Sequence, residues 1–415
     1  MRARLILALL WLLPLVAGSA SPRSTSAQDA GETLLYLIVQ TPDTPSGTLW
    51  MWNTQTDQAH TLWAPDEHTA ATVGETLSPQ ERALMQRTLG TELAAEAMSR
   101  PLAQRLWCVW ALGQGRLLLL STRSFCAVTS GLVCFGVYEL GLLDMASNAY
   151  RPLAQHDLHG TAHSEGTCGA QNPLQIGEVR RHSERWITVS VQPADKDWCY
   201  HPDDVFTLLL DLSADAERPA EILARVTDLS LSPTGGQALF YRLGACAPTR
   251  TCNVALVQTD FPNQTHETIV RRGQIAFGDL WALRSAWTDA STVLYSWVAP
   301  EHLDAYRLYT YHRETRLSTL HSSRESAFRF YQMEDGTLWF YTPTFGVEQA
   351  ANDERVVRAT RLLEATPRAL LLTPDMEDCL RTLIHVGNDG KARTLQLPPA
   401  LATTSTCVVA ASTAL

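Results

Sequence analysis

The sequence predicts an all-β protein that folds as a β-propeller of six blades, with seven blades as the alternative. Two internal repeats support this fold class. Leu142–Pro152 returns as Leu209–Pro219, with Leu, Leu, Asp, Ala, Arg and Pro in step, and Gly47–Trp52 is echoed by Gly336–Tyr341. Each repeat is typical of a strand, a polar turn and a second strand, which indicates one supersecondary unit recurring around a common core.

Alternating apolar and polar residues, bounded by turn residues, divide the chain into six units of about forty residues each. The first unit contains three strands and lacks an opening one. Its strands are predicted at Leu34–Gln40, Thr48–Asn53 and Ala59–Trp63, and the other units at about 105–153, 176–223, 226–270, 280–320 and 327–397. A seventh blade is expected only if 356–372 and the segment after it form a separate sheet.

The end of the chain supplies the missing strand. Thr406–Ala410 is a short β-prone run, and pairing it with Leu34–Gln40 would close the ring. Closure removes the exposed strand edges that an all-β array otherwise presents to other chains. We therefore expect the last strand to complete the first blade.

One segment, at about 78–98, predicts a helical insertion between the first two blades. Ser78 is a capping residue, Pro79 suits the first helical position, and Glu81 can reach back to the cap. Gly90 is expected to weaken or split the helix. A helix packed over the propeller is the favoured interpretation, and a mobile lid is the alternative. The apolar stripe that would face the propeller consists of Met85, Leu89, Leu93 and Ala97.

The N-terminus predicts a secretory signal peptide over residues 1–27, followed by a single propeller domain over 32–415. Arg2 and Arg4 form its charged region, Leu5–Val16 is apolar, and small residues follow. The apolar run is shorter than the roughly 20 residues that span a bilayer, so cleavage is favoured over an uncleaved anchor. We expect a secreted or periplasmic monomer with no membrane span after cleavage.

Nine cysteines in an exported chain predict four disulfides and one free thiol. Two pairs each flank a short loop between strands, the setting of a stapled hairpin, and the blade map pairs two more distant partners. The expected set is Cys126–Cys134, Cys246–Cys252, Cys168–Cys199 and Cys379–Cys407, with Cys108 free.

Two segments resemble the WD40-like repeats of TolB-type propellers, which run from an apolar strand through Ser-Pro-Asp-Gly into an aromatic-rich strand. Asp228–Tyr241 fits this pattern well, with Thr234 in place of the Asp. Ala286–Tyr295 fits without the Pro and the Gly, and Met333–Phe340 is similar to the repeats of bacterial sensor propellers. The resemblance implies the fold alone, since such repeats serve transport accessories, sensors, lyases and peptidases alike.

The composition argues against several function classes. A net charge of −10 disfavours nucleic-acid binding, which needs a basic stripe. The sequence contains neither a Gly-x-Ser-x-Gly elbow nor a phosphate-cradling glycine loop, so a serine hydrolase or a nucleotide-dependent enzyme is not expected. We assign no catalytic residues and expect no cofactor and no metal.

Two loops nevertheless carry residues that could form a site. Three histidines close in sequence could hold a metal, although solvated loop histidines are the plainer interpretation. A second loop combines two aromatic residues with a cluster of carboxylates that could perform acid–base chemistry or bind calcium, or could be a solvated acidic loop. The candidate binding residues are His156, His159, His163, Trp198, Tyr200, Asp203 and Asp204, with Asp195 and Asp197 nearby.

Our functional hypothesis is an exported binding module whose ligand is a protein, a peptide or an envelope polymer. The alternatives are a propeller enzyme, such as a polysaccharide lyase or glycoside hydrolase with a site on the central axis, and a structural domain of an envelope assembly. Strand alternation places the loops between second and third strands on the same face as the loops between blades. We expect that face to bind the ligand, because it would carry the long loops. The alternative is that these insertions only plug the channel and staple the fold.

Overall fold

The computed structural model confirms the all-β propeller. Seven four-stranded antiparallel sheets follow one another along the described part of the chain, together with one two-stranded ribbon. The blades therefore number seven, the alternative to the preferred count of six. The structure describes residues 33–65, 71–77, 79–99, 101–102, 104–128, 132–157, 174–193, 202–213, 220–247, 251–262, 267–299, 305–324, 327–342, 346–349, 355–357, 361–366, 368–375, 379–387, 391–403 and 405–413.

The four strands of a blade lie side by side in order, from the first strand to the fourth. Blade 1 consists of β30 (Cys407–Thr413), β1 (Leu34–Gln40), β2 (Thr48–Asn53) and β3 (Gln58–Trp63). Blade 2 consists of β6 (Arg105–Gly113), β7 (Arg116–Val128), β8 (Leu132–Asp144) and β9 (Ala149–Asp157). Blade 3 consists of β10 (Leu174–Arg181), β11 (Trp186–Pro193), β12 (Phe206–Asp211) and β13 (Ala220–Ala224). Blades 4 and 5 are β14 (Val226–Leu231), β15 (Gln237–Cys246), β16 (Thr251–Asp260) and β17 (Glu267–Ala276); and β18 (Ser285–Trp287), β19 (Thr292–Val298), β20 (Tyr306–His312) and β21 (Leu317–Arg324). Blades 6 and 7 are β22 (Arg329–Gln332), β23 (Leu338–Thr342), β24 (Gly346–Gln349) and β25 (Arg355–Val357); and β26 (Arg361–Ala365), β27 (Ala369–Thr373), β28 (Thr382–Gly387) and β29 (Ala392–Gln396).

The extra blade comes from the segment 327–397, which the sequence suggested as a single unit. It forms two sheets, β22–β25 and β26–β29. Their strands are mostly three to five residues long. Such short strands contain too few alternations of apolar and polar residues for the sequence to show where one blade ends and the next begins.

The ring closes as predicted, with β30 paired antiparallel to β1. Gln40 lies opposite Cys407 and Leu35 lies opposite Thr413, so the closing strand extends three residues beyond the predicted end at Ala410. A disulfide between Cys379 and Cys407 ties the start of this strand to blade 7. The first blade is thus completed by the last strand of the chain and held by a covalent bond.

The predicted helical insertion lies between blades 1 and 2. Gly90, with a φ of +80°, separates two helices, and residue 78 is outside the described part of the chain. Met85 and Ala97 are buried as expected, but Leu93 is 61% exposed, which corrects the predicted stripe. The break at Gly90 turns the second helix so that Ala94 faces inward instead. The elements are β4 (Ala71–Thr72), α1 (Val73–Thr76), α2 (Pro79–Leu89), α3 (Thr91–Met98) and β5 (Pro101–Leu102).

The apolar core lies between neighbouring sheets. Between blades 4 and 5, Tyr241 stacks on Trp297 with ring centroids 5.9 Å apart. The buried Tyr241 hydroxyl lies 2.9 Å from the Arg284 carbonyl and 2.8 Å from that of Ser296. A buried tyrosine hydroxyl needs such a partner, and here it fixes the backbone at the start of blade 5.

Two of the four expected disulfides, Cys246–Cys252 and Cys379–Cys407, are formed, and Cys108 is free. Cys126 and Cys134 are directly opposite in the β7–β8 register. Their side chains lie outside the described residues, as do Cys168, Cys199 and the predicted signal peptide. No helix in the described ranges is long and apolar enough to cross a membrane.

Candidate functional site

The sheet order defines two faces of the propeller. Chain connections from one blade to the next, and those from second to third strands, lie on one face, which we call the loop face. Connections from first to second and from third to fourth strands lie on the opposite, turn face. The Cys246–Cys252 and Cys379–Cys407 disulfides and the helical insertion all lie on the loop face, as the strand alternation predicted.

Five of the seven first strands begin with an arginine or directly after one. Because all first strands enter the sheet from the loop face, these arginines all stand at the loop-face ends of the innermost strands. We call them the arginine ring, which consists of Arg105 in blade 2, Arg225 in blade 4, Arg284 in blade 5, Arg329 in blade 6 and Arg361 in blade 7.

Glu178 on β10 binds two members of the ring from across the channel. Arg284 donates from Nη1 to both of its carboxylate oxygens. Arg329 Nη1 lies 3.5 Å from Glu178 Oε2 and donates from Nε to the Trp281 carbonyl. Blades 3 and 6 are not neighbours, so their direct ion pair must cross the centre of the propeller. Glu178 therefore marks the axis.

A second carboxylate, Asp228 on β14, extends this cluster to blade 4. Arg180 donates from Nη2 to Asp228 Oδ1 at 2.5 Å and from Nη1 to the Ser285 carbonyl at 2.9 Å. Ser285 Oγ donates to Asp228 Oδ2 at 2.8 Å. The first strands of blades 3, 4 and 5 are thus joined by charge-assisted hydrogen bonds, which are stronger than neutral ones.

The charges of this cluster act strongly on one another. Burial alone would raise the pKa of Glu178, but the guanidiniums of Arg284, Arg180 and Arg329 hold it well below its usual range. Burial, aided by the charge of Arg180, lowers the pKa of His182 to about 3. Glu178 is therefore ionised and His182 is neutral throughout the physiological range.

The other ring members are less fully paired. Arg105 donates to Gln40 Oε1 at 2.7 Å and lies over the Trp107 ring at 4.6 Å. Arg225 forms an ion pair with Asp203. Within the described ranges, Arg361 forms no hydrogen bond and no ion pair. Its charge is felt by the Cys108 thiol of blade 2, whose pKa burial raises to about 12.

The candidate residues from the sequence are only partly described. His156 packs on Phe206 with ring centroids 4.6 Å apart, between blades 2 and 3. Asp203 and Asp204 lie in the short helical turn just before Phe206, on the loop face like the end of β9 that carries His156. Asp203 is exposed and Asp204 is buried. His159, His163, Trp198 and Tyr200 lie outside the described residues.

The sequence alone does not reveal the arginine ring, because its members come from five blades and form no local motif. The signal that could have found it is an arginine at the same place in successive repeats, at the entry to the first strand. In the portion of the chain that is described, no three His, Cys, Asp or Glu side chains are grouped so as to hold a metal ion.

Comparison with known proteins adds little beyond the fold. No family model matches the chain, and no curated protein matches it. Among solved structures, an oligogalacturonate lyase in complex with manganese is 12% identical, with a TM-score of 0.42 over 85% of this chain and 84% of the other. An acylaminoacyl peptidase from Pyrococcus horikoshii is 7% identical, with a TM-score of 0.40 over 70% and 46%. Such weak similarities carry no functional argument, and the propeller rests on the sheet topology itself.

Proposed function

We propose that the protein is an exported propeller binding module that takes an acidic peptide or envelope polymer at the arginine ring. The observation that carries this proposal is local charge. The chain has a net charge of −10, yet five arginines stand at the loop-face ends of its innermost strands. Guanidinium groups match the fork geometry of carboxylates and phosphates. We also propose that the blades belong to the TolB-type repeats they resemble.

Two ring members are the expected anchors for the partner. Arg105 and Arg361 form no ion pair with any carboxylate in the described ranges, although the charge of Arg361 helps to lower the pKa of Asp375. Trp107, beside Arg105, is 36% exposed and offers an aromatic surface. A guanidinium next to an exposed indole is a frequent composition of a binding hot spot.

Binding of the purified chain to alginate, poly-L-glutamate and neutral dextran tests the proposal. We expect binding to one or both acidic polymers and none to dextran, with affinity falling as salt rises. The double variant Arg105→Ala/Arg361→Ala should bind at least tenfold more weakly, while Arg393→Ala on the outer strand β29 should be unchanged. Equal binding of dextran and alginate, or an unaffected double variant, would contradict the proposal.

Trp198 and Tyr200, in the connection from β11 to β12, provide a second test. Changing both to Ala should weaken binding of the acidic polymer, whereas changing Asn263, in the connection from β16 to β17, should not. If the polymers are shortened during incubation, the protein is an enzyme and the binding-module hypothesis is wrong.

A further inference from the structure

A polar cavity on the turn face lies between blades 4 and 5, remote from the arginine ring. It measures about 390 Å³, which is within the range of roughly 300–1,000 Å³ typical of small-molecule sites. The side chains that matter in its lining are Gln258, Thr268, Tyr311, Arg313, Glu314 and Arg316.

Arg316 stands at a backbone position that ordinarily suits another residue type. It ends the four-residue turn between the third and fourth strands of blade 5, with a φ of +55°. The same place in blades 1 and 2 is taken by Asp57 and Asn148, with φ of +56° and +54°. Asp and Asn tolerate this left-handed conformation, whereas long side chains rarely adopt it. Strain of this kind is concentrated at functional sites.

Arg313 is held rigidly at the cavity wall. It donates from Nη1 to the Ala290 carbonyl at 2.7 Å and lies over the Trp287 ring at 5.6 Å. Its Nε is buried and has no hydrogen-bond partner. That atom is closed off from the cavity, whereas Nη2 makes no hydrogen bond among the described residues and can donate to an acceptor on a ligand.

Further polar groups of the cavity remain uncommitted among the described residues. The hydroxyls of Tyr311 and Thr268 and the guanidinium of Arg316 make no hydrogen bond, and Gln258 uses only its amide nitrogen, donating to Gln237 Oε1 at 3.1 Å. Burial raises the pKa of Tyr311, and the nearby charges of Arg316 and Arg313 oppose this. The phenol therefore stays protonated and can donate.

From this geometry we infer a second site, one that binds a small hydroxylated molecule bearing one anionic group. Arg313 and Arg316 outweigh the single carboxylate of Glu314, so the cavity carries net positive charge. The guanidiniums would take the anionic group, and the hydroxyl and amide groups would take the hydroxyls of the ligand. The volume suits a single small molecule rather than a polymer.

Calorimetric titration of the full chain with glucose 6-phosphate, glucuronate and neutral glucose tests this inference. We expect glucose 6-phosphate or glucuronate to bind at least tenfold more tightly than glucose, and the difference between the two acids reports whether phosphate or carboxylate is preferred. Arg316→Asn places the usual turn residue at this φ. It should weaken binding at least tenfold while leaving the melting temperature unchanged or higher.

Controls separate this site from the arginine ring. Arg393→Asn, an exposed substitution on β29, should bind the sugars as the unmodified chain does, and so should Arg105→Ala/Arg361→Ala. Three results would each overturn the inference: glucose binding as tightly as the acids, no binding of any probe at millimolar concentration, or full binding by Arg316→Asn.

Discussion

Glu364 of blade 7 accepts a hydrogen bond from Ser412 of the closing strand, with 2.8 Å between Oε1 and Oγ. Its other oxygen accepts from the backbone N–H of Thr413 at 2.7 Å. Ser412 Oγ in turn accepts from the N–H of Ala111 on β6 at 2.9 Å. Blades 7, 1 and 2 therefore meet at one serine, and the seam of the ring depends on a buried carboxyl group.

The first prediction concerns the pH dependence of this seam. Burial raises the pKa of Glu364 from 4.5 to about 7. The folded chain thus keeps a proton between about pH 4.5 and 7 that the unfolded chain has lost, so this group makes folding less stable as pH rises through that window. Glu364→Gln should gain stability relative to the unmodified chain between pH 5 and pH 8, by roughly 1–3 kcal/mol.

Urea unfolding at the two pH values measures this difference. Glu334→Gln is the matched control, because Glu334 forms an exposed ion pair with Arg368 and both side chains are 58% exposed. Its effect should be the same at both values. A constant difference between Glu364→Gln and the unmodified chain would show that Glu364 does not titrate in this window.

The second prediction concerns closure. Deleting residues 406–415 removes β30 and should lower the melting temperature sharply, because β1 loses the strand it pairs with and β26 loses its contacts with that strand.

The two disulfides should contribute differently to the stability of the ring. The double variant Cys379→Ser/Cys407→Ser should cost more stability than Cys246→Ser/Cys252→Ser. The first bond closes a loop with a sequence separation of 28 and the second one of 6, and loop entropy alone gives about 3–4 kcal/mol for the longer loop. Thermal melts in oxidising buffer compare the variants, and equal losses would contradict this account.

The third prediction concerns the axis. Glu178→Gln leaves Arg284, Arg180 and Arg329 without their shared carboxylate in a poorly hydrated centre, and should cost roughly 3–5 kcal/mol. Since the pKa of Glu178 is lowered on folding, its contribution is fully present above about pH 4.5 and is lost as the pH falls below that. The exposed pair Glu267–Arg242 is the control, and Glu267→Gln should cost at most about 1 kcal/mol. Urea unfolding at pH 7 and pH 3 measures the free energy of unfolding of both variants. Equal losses for Glu178→Gln and Glu267→Gln would contradict the placement of Glu178 at the centre of the propeller.

The sequence was informative where structure is local. The repeat Leu142–Pro152 indeed spans the turn between the third and fourth strands of blade 2, and Leu209–Pro219 begins at the same place in blade 3. The motif segments Asp228–Tyr241 and Ala286–Tyr295 both form first and second strands. Turn chemistry and strand alternation are local properties, so they can be read along the chain.

Similar local patterns can also mislead. Gly47–Trp52 leads into the third strand of blade 1, whereas Gly336–Tyr341 leads into the second strand of blade 6. The two strands start from opposite faces of the propeller, and the structural feature that the segments share is a glycine with positive φ before an aromatic strand. The arginine ring and the Glu178 cluster could not be inferred in this way, since their members become neighbours only when non-adjacent blades face one axis.

Because the chain is made from its N-terminus, the Cys379–Cys407 and Cys246–Cys252 bonds become possible at different stages of synthesis. Of the described strands, β1 is made first and β30 last, so blade 1 keeps an open edge until β30 has been made. The hairpin bond Cys246–Cys252 can form as soon as blade 4 exists. The bond at the seam needs Cys407 at the start of β30, so it can form only when nearly all of the described chain has been made.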